Sequence, residues 1–203
     1  MPAIGITGGI STGKSTFCRC LCQLLPAAKS FDADQAARSL VELPEVKQEI
    51  LNGFGTDVFS AGGDLNRTKL RTIVFVDASK RRVLEQILHP RIRRQWMAEA
   101  ERHRNSRDFF FADIPLLYET SGETLCDRVV VVASSPNLQL QRLAQRKSLK
   151  NSDARKIINS QMPLEDKIQR ADHVIWNNSD RETLMQQARK LVALWQDHLC
   201  KER

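Results

Sequence analysis

Short apolar runs alternate with longer stretches of helical periodicity along this chain. Ala3 to Thr7 is the first run, and Phe17, Leu21, Leu24 and Leu25 follow at the spacing of one helix face. Pro26 breaks that helix, and Lys29-Ser30-Phe31-Asp32 reads as a second strand. Asp108 to Asp113, centred on three phenylalanines, reads as a buried third strand. Arg128 to Ala133, with four valines together, carries the clearest parallel-strand signal, and His173 to Trp176 is the last strand. Between the second and third strands, Pro44 to Arg104 shows only helical periodicity. There Asn66 caps a helix through Phe75, Asp77 caps one through Leu88, and His89-Pro90 opens another. Ser135-Pro136 starts a helix with Leu140, Leu143 and Ala144 on one face, and Lys147 to Arg170 reads as further polar helix. The final helix carries Leu184, Ala188, Leu191 and Trp195 on one face.

This order predicts an α/β fold: a five-stranded parallel sheet flanked by helices, with right-handed crossovers. It predicts one domain over residues 1–203, with a helical insert at about 44–106 and a lid at about 146–170. Repeats, linkers and low-complexity segments are absent from the sequence.

Composition narrows the class. A 203-residue chain with 41% hydrophobic and 27% charged residues fits a globular protein. The start lacks a basic-then-apolar leader pattern and the sequence lacks an apolar run of spanning length, so a cytoplasmic protein without membrane partners is expected. Cys18, Cys20, Cys22, Cys126 and Cys200 have no zinc-ligand spacing and read as packing residues. A formal charge of +7 points to anionic partners. A polyphosphate nucleotide satisfies that charge. Nucleic acid is not expected, because the basic runs at Lys80–Arg82 and Arg91–Arg104 lack interleaved aromatics apart from Trp96 and fit a solvated helix face.

The chemistry is concentrated between the first strand and the first helix. Gly8-Gly9-Ile10-Ser11-Thr12-Gly13-Lys14-Ser15, followed by Thr16, contains Gly-x-x-x-x-Gly-Lys-Ser, the phosphate-binding loop pattern. Its glycines let backbone N–H groups close around phosphate oxygens, and the helix start adds unpaired donors and a positive dipole end. Lys14 is placed to reach the β- and γ-phosphates, and the Ser15 hydroxyl to ligate Mg²⁺. The third strand ends in Asp113, the position from which a carboxylate holds Mg²⁺ directly or through water. Asp32 and Asp34 stand at the C-terminal end of the second strand, the ligand-binding edge of a parallel sheet. Asp34 also fits as the N-cap of the helix after it. Arg142 and Arg146 share one face of the sixth predicted helix, where a solvent face accounts for both and a lid over Lys147 to Arg170 that brings Arg146 onto the transferring phosphate is the alternative.

With these residues placed, nearly the whole chain resembles the dephospho-CoA kinase family. The resemblance rests on Thr7-Gly8-Gly9-Ile10 before Gly13-Lys14-Ser15-Thr16, Asp32-Ala33-Asp34 with Ala37-Arg38, Phe54-Gly55, and Arg67 with Leu70-Arg71. It continues through His89-Pro90, Pro115-Leu116-Leu117-Tyr118-Glu119, Gln139 and Arg142, Arg146, Gln161, Ala171-Asp172 and Asn177. The family implies a P-loop kinase core with a CoA-binding helical insert and a mobile lid. It implies ATP- and Mg²⁺-dependent phosphorylation of the 3′-hydroxyl of the ribose of dephospho-CoA, giving coenzyme A and ADP. On that basis Asp34 is the acceptor-activating base, supported by Asp32. His89, Pro115, Leu116, Leu117 and Glu119 line the acceptor site, Arg146 clamps from the lid, and Asn177 lies near the adenine. A monomer is expected.

Four positions depart from the family pattern. Ser11-Thr12 replaces the usual Gly followed by Ser or Ala, which puts the backbone at Ser11 in question. Trp176 and Asn66 each replace a common Asp. The rival readings are another small-molecule P-loop kinase, such as a nucleoside monophosphate kinase, a GTPase and a nucleic-acid-binding module. A GTPase would need a Lys in Asn177-Asn178-Ser179-Asp180 and a Gly after Asp113, and has neither.

Overall fold

The computed structural model describes residues 3–103, 106, 108–147 and 149–201, with side chains for all of these except 146, 147 and 198–201. It divides into two compact units, one of residues 1–31 with 100–203 and one of residues 32–99.

The first unit carries the sheet. Strands β1 (Ala3–Gly8), β2 (Lys29–Asp32), β3 (Phe110–Asp113), β4 (Arg128–Ala133) and β5 (His173–Trp176) line up in the order β2-β3-β1-β4-β5, with β2 reaching the boundary between the units. β1 runs parallel to β3, with Ile6 opposite Asp113, and parallel to β4, with Gly8 opposite Val132. β4 in turn is parallel to β5. The third strand begins at Phe110 rather than Asp108, because Ser106 and Asp108 bond to each other locally instead of joining the ladder.

Period-2 alternation decides which side chains of β1 face which layer. Ile4 and Ile6 pack in one core with Val130, Val132, Phe111 and Ile175. Helix α1 (Lys14–Leu24) closes that core with Phe17 and Leu21, and α9 (Arg181–Lys201) with Leu184, Ala188, Leu191 and Trp195. Each of the leucine, isoleucine, valine and phenylalanine side chains contributes about 1.5–3 kcal/mol by leaving water. Gly5 sits on the opposite face, where a methyl group would lie 2.7 Å from Cys126 Sγ and 2.8 Å from Leu117 Cδ2. Helix α6 (Pro136–Lys147) packs Leu143 against Ala154 and Ile157 of α7 (Asn151–Ile158), with Ile10 of the glycine loop at the edge of that cluster. The predicted polar segment therefore has an apolar inner stripe. A short helix, α8 (Leu164–Gln169), follows it.

The second unit is helical: α2 (Ala33–Leu40), α3 (Pro44–Phe54), α4 (Arg67–Val76) and most of α5 (Ala78–Arg102). Leu40, Val46, Ile50, Val58, Leu70, Ile87 and Leu88 form its core. Asn66 caps α4 by accepting from the Lys69 N–H at 3.0 Å, and Asp77 accepts from the Ser79 and Lys80 N–H groups at the start of α5. Those hydrogen bonds, the Ser79 hydroxyl first, hold the Asp77 carboxyl below its ordinary range. The break expected at His89-Pro90 does not occur, and α5 runs through it. A proline removes one helical N–H and crowds the carbonyls of the preceding turn. Here the Arg91 guanidinium donates to the Ile87 carbonyl at 2.7 Å and also pairs with Glu49 of α3 at 2.6 Å, so the perturbed turn is satisfied and tied to its neighbour.

Candidate active site

The glycine loop leaves β1 at the C-terminal edge of the sheet, where parallel α/β folds bind ligands. Gly8 is required by closeness: a Cβ there would lie 2.2 Å from the Val132 carbonyl. Gly13 is required by conformation, with φ of 93° in the left-handed region, and by closeness, since a Cβ would lie 2.0 Å from Asn177 Nδ2. Thr12 is buried and folds the loop back, its hydroxyl donating to the Gly9 carbonyl at 2.9 Å. Gly13 brings no capping side chain to α1, and the first turn holds no acidic residue, so the helix start suits an anion. Ser15 is exposed on that turn.

Ser11 answers the question its sequence position raised. It adopts φ of 59°, the left-handed conformation that glycine takes freely, and its hydroxyl is buried without a hydrogen-bond partner. The serine is held there at the cost of backbone strain.

Lys14 and Asp113, 99 residues apart in sequence, form an ion pair through Lys14 Nζ and Asp113 Oδ1. The other carboxylate oxygen of Asp113 accepts from the Cys18 thiol at 3.4 Å. Their side chains are 12% and 9% exposed, so the charges face each other away from bulk water. Among the described residues there is no cluster of three or more His, Cys, Asp or Glu able to cage a metal. Mg²⁺ suits such a site, because it takes most of its ligands from phosphates and water and needs only one or two from protein.

Beside the loop lies a pocket of about 350 Å³ lined by Ser11, Gly13, Thr16, Arg142, Asn177 and Arg181, among others. Asn177 is buried and donates through Nδ2 to the Thr12 carbonyl at 2.8 Å, which ties the end of β5 to the glycine loop. Arg142 donates to the Asn177 carbonyl at 3.0 Å. That removes the solvent-face account of Arg142. Arg146 falls on α6, and its side chain lies outside the described residues.

The segment after β3 is held from several sides. The Pro115 carbonyl accepts from Thr7 Oγ1 at 3.0 Å and from Lys167 Nζ at 2.9 Å. Leu117 is fully buried under Gly5 and Gly122, and Leu116 is half-buried. Glu119 pairs with Lys167 at 2.8 Å and accepts from the Met162 N–H at 3.0 Å.

In the helical unit, Asp32 is the N-cap of α2, its Oδ1 accepting from the Gln35 N–H at 2.9 Å. The cap expected of Asp34 is therefore made by Asp32. Asp34 sits in the first turn, exposed and not used as a cap. His89 is half-buried on α5.

A family model described as dephospho-CoA kinase matches residues 2–183. The chain belongs to the dephospho-CoA kinase family. It is 41% identical to the dephospho-CoA kinase of Listeria monocytogenes serotype 4b over 187 residues, 91% of this chain and 92% of the relative. It is 36% identical to that of Fusobacterium nucleatum over 187 residues, 92% and 95% of the two chains. A solved dephospho-CoA kinase from Campylobacter jejuni superposes with a TM-score of 0.69 at 27% identity, covering 94% of this chain and 95% of the other. Membership makes this chain a transferase that phosphorylates dephospho-CoA at the expense of ATP. Among the described residues, no helix is long and apolar enough to cross a membrane.

Sequence reasoning missed Arg181, which reaches the pocket from the start of α9, and Lys167. No pattern marks either one. A lysine in a charged six-residue helix looks like solvent face until the fold buries it.

Proposed function

We propose that this chain transfers the γ-phosphoryl group of ATP to the 3′-hydroxyl of the ribose of dephospho-CoA. The observation that carries the reading is the pairing of Lys14 with Asp113 at the mouth of the glycine loop. A cation suited to phosphate and a carboxylate suited to a divalent ion sit side by side. Loop amides from Gly8 to Thr16 take the phosphates, and Lys14 turns from Asp113 to the transferring group. Ser15 and Asp113 would hold Mg²⁺, which neutralises charge on the phosphate oxygens when bound. The pocket along Arg142 and Asn177 takes the nucleobase.

Asp34 receives the proton of the ribose hydroxyl. Its carboxylate is not consumed by capping, since Asp32 does that work. Asp32 orients the turn, while His89, Pro115, Leu116, Leu117 and Glu119 serve the acceptor, and Arg146 closes on the phosphoryl group from a lid over residues 146–170. Residues 44–106 form the CoA-binding insert. The protein works as a cytoplasmic monomer with ATP and dephospho-CoA as its partners, which light scattering after size exclusion checks for oligomeric state.

The deciding experiment incubates the protein with ATP, Mg²⁺ and a panel of acceptors that includes dephospho-CoA, AMP and adenosine, with products read by mass spectrometry. Phosphate gained by dephospho-CoA alone, and absent when the ribose 3′-hydroxyl is replaced by hydrogen, is the expected result. Preferential phosphorylation of AMP would favour the nucleoside monophosphate kinase reading.

A further inference from the structure

Lys167 is the least expected group in the sheet-bearing unit. It stands on a six-residue helix rich in charge, yet its side chain is fully buried. Burial presses its ammonium toward the neutral form, and the Glu119 carboxylate opposes that. Stability alone does not account for it: replacing a buried ion pair with apolar side chains of similar volume is often neutral or favourable. A methionine would fill much of the same space without any desolvation. What a methionine lacks is donors, and those of Lys167 are spent on the Glu119 carboxylate at 2.8 Å and the Pro115 carbonyl at 2.9 Å.

The Pro115 carbonyl is where the geometry converges. Ile6 is paired with Asp113 in the sheet, and the Ile114 N–H donates to the Ile6 carbonyl at 2.9 Å. One residue further along each strand, Thr7 Oγ1 donates to the Pro115 carbonyl at 3.0 Å. Thr7 leads directly into Gly8, and Pro115 follows Asp113 by two residues. This carbonyl thus joins the root of the phosphate loop to the root of the carboxylate that faces Lys14. Lys167 occupies its second acceptor position from a helix remote in sequence.

We propose that Lys167 is a positioning residue for phosphoryl transfer: through the Pro115 carbonyl it fixes the turn that aims Asp113 at Lys14. The assignment rests on the phosphate-loop reading given above. Second contacts of this kind hold a charged group within the narrow range where it is useful, and losing them costs on the order of 10- to 100-fold. The same lysine, with Glu119 and the Met162 N–H, anchors α8 to the segment after β3.

The test compares Lys167→Met, Glu119→Gln, the double variant and Thr7→Val, with kcat and both KM values taken well below each melting temperature. Lys167→Met is expected to lower kcat on the order of tenfold or more, leave KM for ATP within about twofold, and lower Tm. The double variant, which removes both charges, should recover Tm but not kcat, because no donor reaches Pro115. Glu119→Gln should keep more turnover than Lys167→Met, since Lys167 still donates to the carbonyl. Thr7→Val removes the other donor without burying a charge, so it stays informative if Lys167→Met does not fold, and it should also lower kcat. Wild-type kcat in Lys167→Met or Thr7→Val, or recovery of kcat together with Tm in the double variant, would overturn the assignment. Lys14→Ala in the same assay reports separately on the phosphate loop, because turnover surviving there would sink that reading whatever Lys167 does.

Discussion

Asn177 donates its side-chain amide to the Thr12 carbonyl at 2.8 Å, across 165 residues of sequence. The contact closes the pocket side of the phosphate loop and leaves no room beside Gly13, where a methyl group would lie 2.0 Å from the amide nitrogen. Gly13→Ala meets that clash and a backbone with φ of 93°, so it should lose ATP affinity and stability together. Asn177→Ala leaves a buried carbonyl unpaired, at a cost of about 1–3 kcal/mol. Because Asn177→Ala also removes the clashing amide, the two changes together should cost less than the sum of their separate effects on Tm. Strict additivity would mean that the contact does not set the loop.

Ser11→Gly should stabilise the protein. The serine holds φ of 59° and buries an unpaired hydroxyl, and glycine relieves both. A gain of about 1 kcal/mol is expected, which for a chain of this size raises Tm by roughly 2–4 °C. Calorimetry of the free protein measures it, and an unchanged or lower Tm would show that the left-handed conformation at Ser11 is not strained.

Lys14→Ala and Asp34→Asn separate the two halves of the reaction. Lys14→Ala should abolish detectable transfer with the fold intact, because backbone and glycines set the loop path. Asp34→Asn keeps the size of the side chain and cannot accept the ribose proton. Proton acceptance by a placed carboxylate typically contributes about 10²–10⁴-fold, so kcat should fall by that factor with Tm unchanged. Asp32→Ala tests the cap instead, and should cost about 1 kcal/mol of stability. Near-normal turnover in Asp34→Asn would refute the base assignment.

Stability should also respond to Cys126. Burial, with the Asp127, Glu123 and Asp172 charges adding to it, pushes its thiol up to about 12, and the thiol donates to the Gly122 carbonyl at 3.7 Å. Between the unfolded value of 9.0 and about 12 the folded chain keeps a proton that the unfolded chain has released. The stabilisation is therefore complete below pH 9 and is lost as pH rises above it. Cys126→Ala is expected to be less stable than the wild type at pH 8. That deficit should narrow by roughly 1 kcal/mol at pH 10, since one proton is worth about 1.4 kcal/mol per pH unit. Tyr118, raised to about 12 by burial, acts in the same sense only above its ordinary value of 10.0 and is common to both proteins. A deficit that stays constant with pH would mean that the thiol titrates normally.

Local chemistry was enough to fix the strands, the caps at Asn66 and Asp77, and the phosphate loop. Alternation, β-branched runs and glycine spacing act over a few residues and do not wait for partners. The sequence also placed Asp113 at a strand end, but not against Lys14. That meeting depends on the β1–β3 register, in which Ile6 stands opposite Asp113. The helix break written at Pro90 was overridden at Arg91, which bonds the Ile87 carbonyl within its own helix and whose pairing with Glu49 exists only once α3 is packed beside it. The cap of α2, read from sequence as Asp34, is made by Asp32, because only the backbone path decides which residue precedes the first helical turn. Lys167 shows the limit most plainly: whether a lysine is solvated or buried on a carbonyl depends on what lies opposite, and a carbonyl has no signature in sequence. Properties carried by a short stretch of chain were legible in advance, and those made by two distant stretches meeting were decided by the tertiary structure.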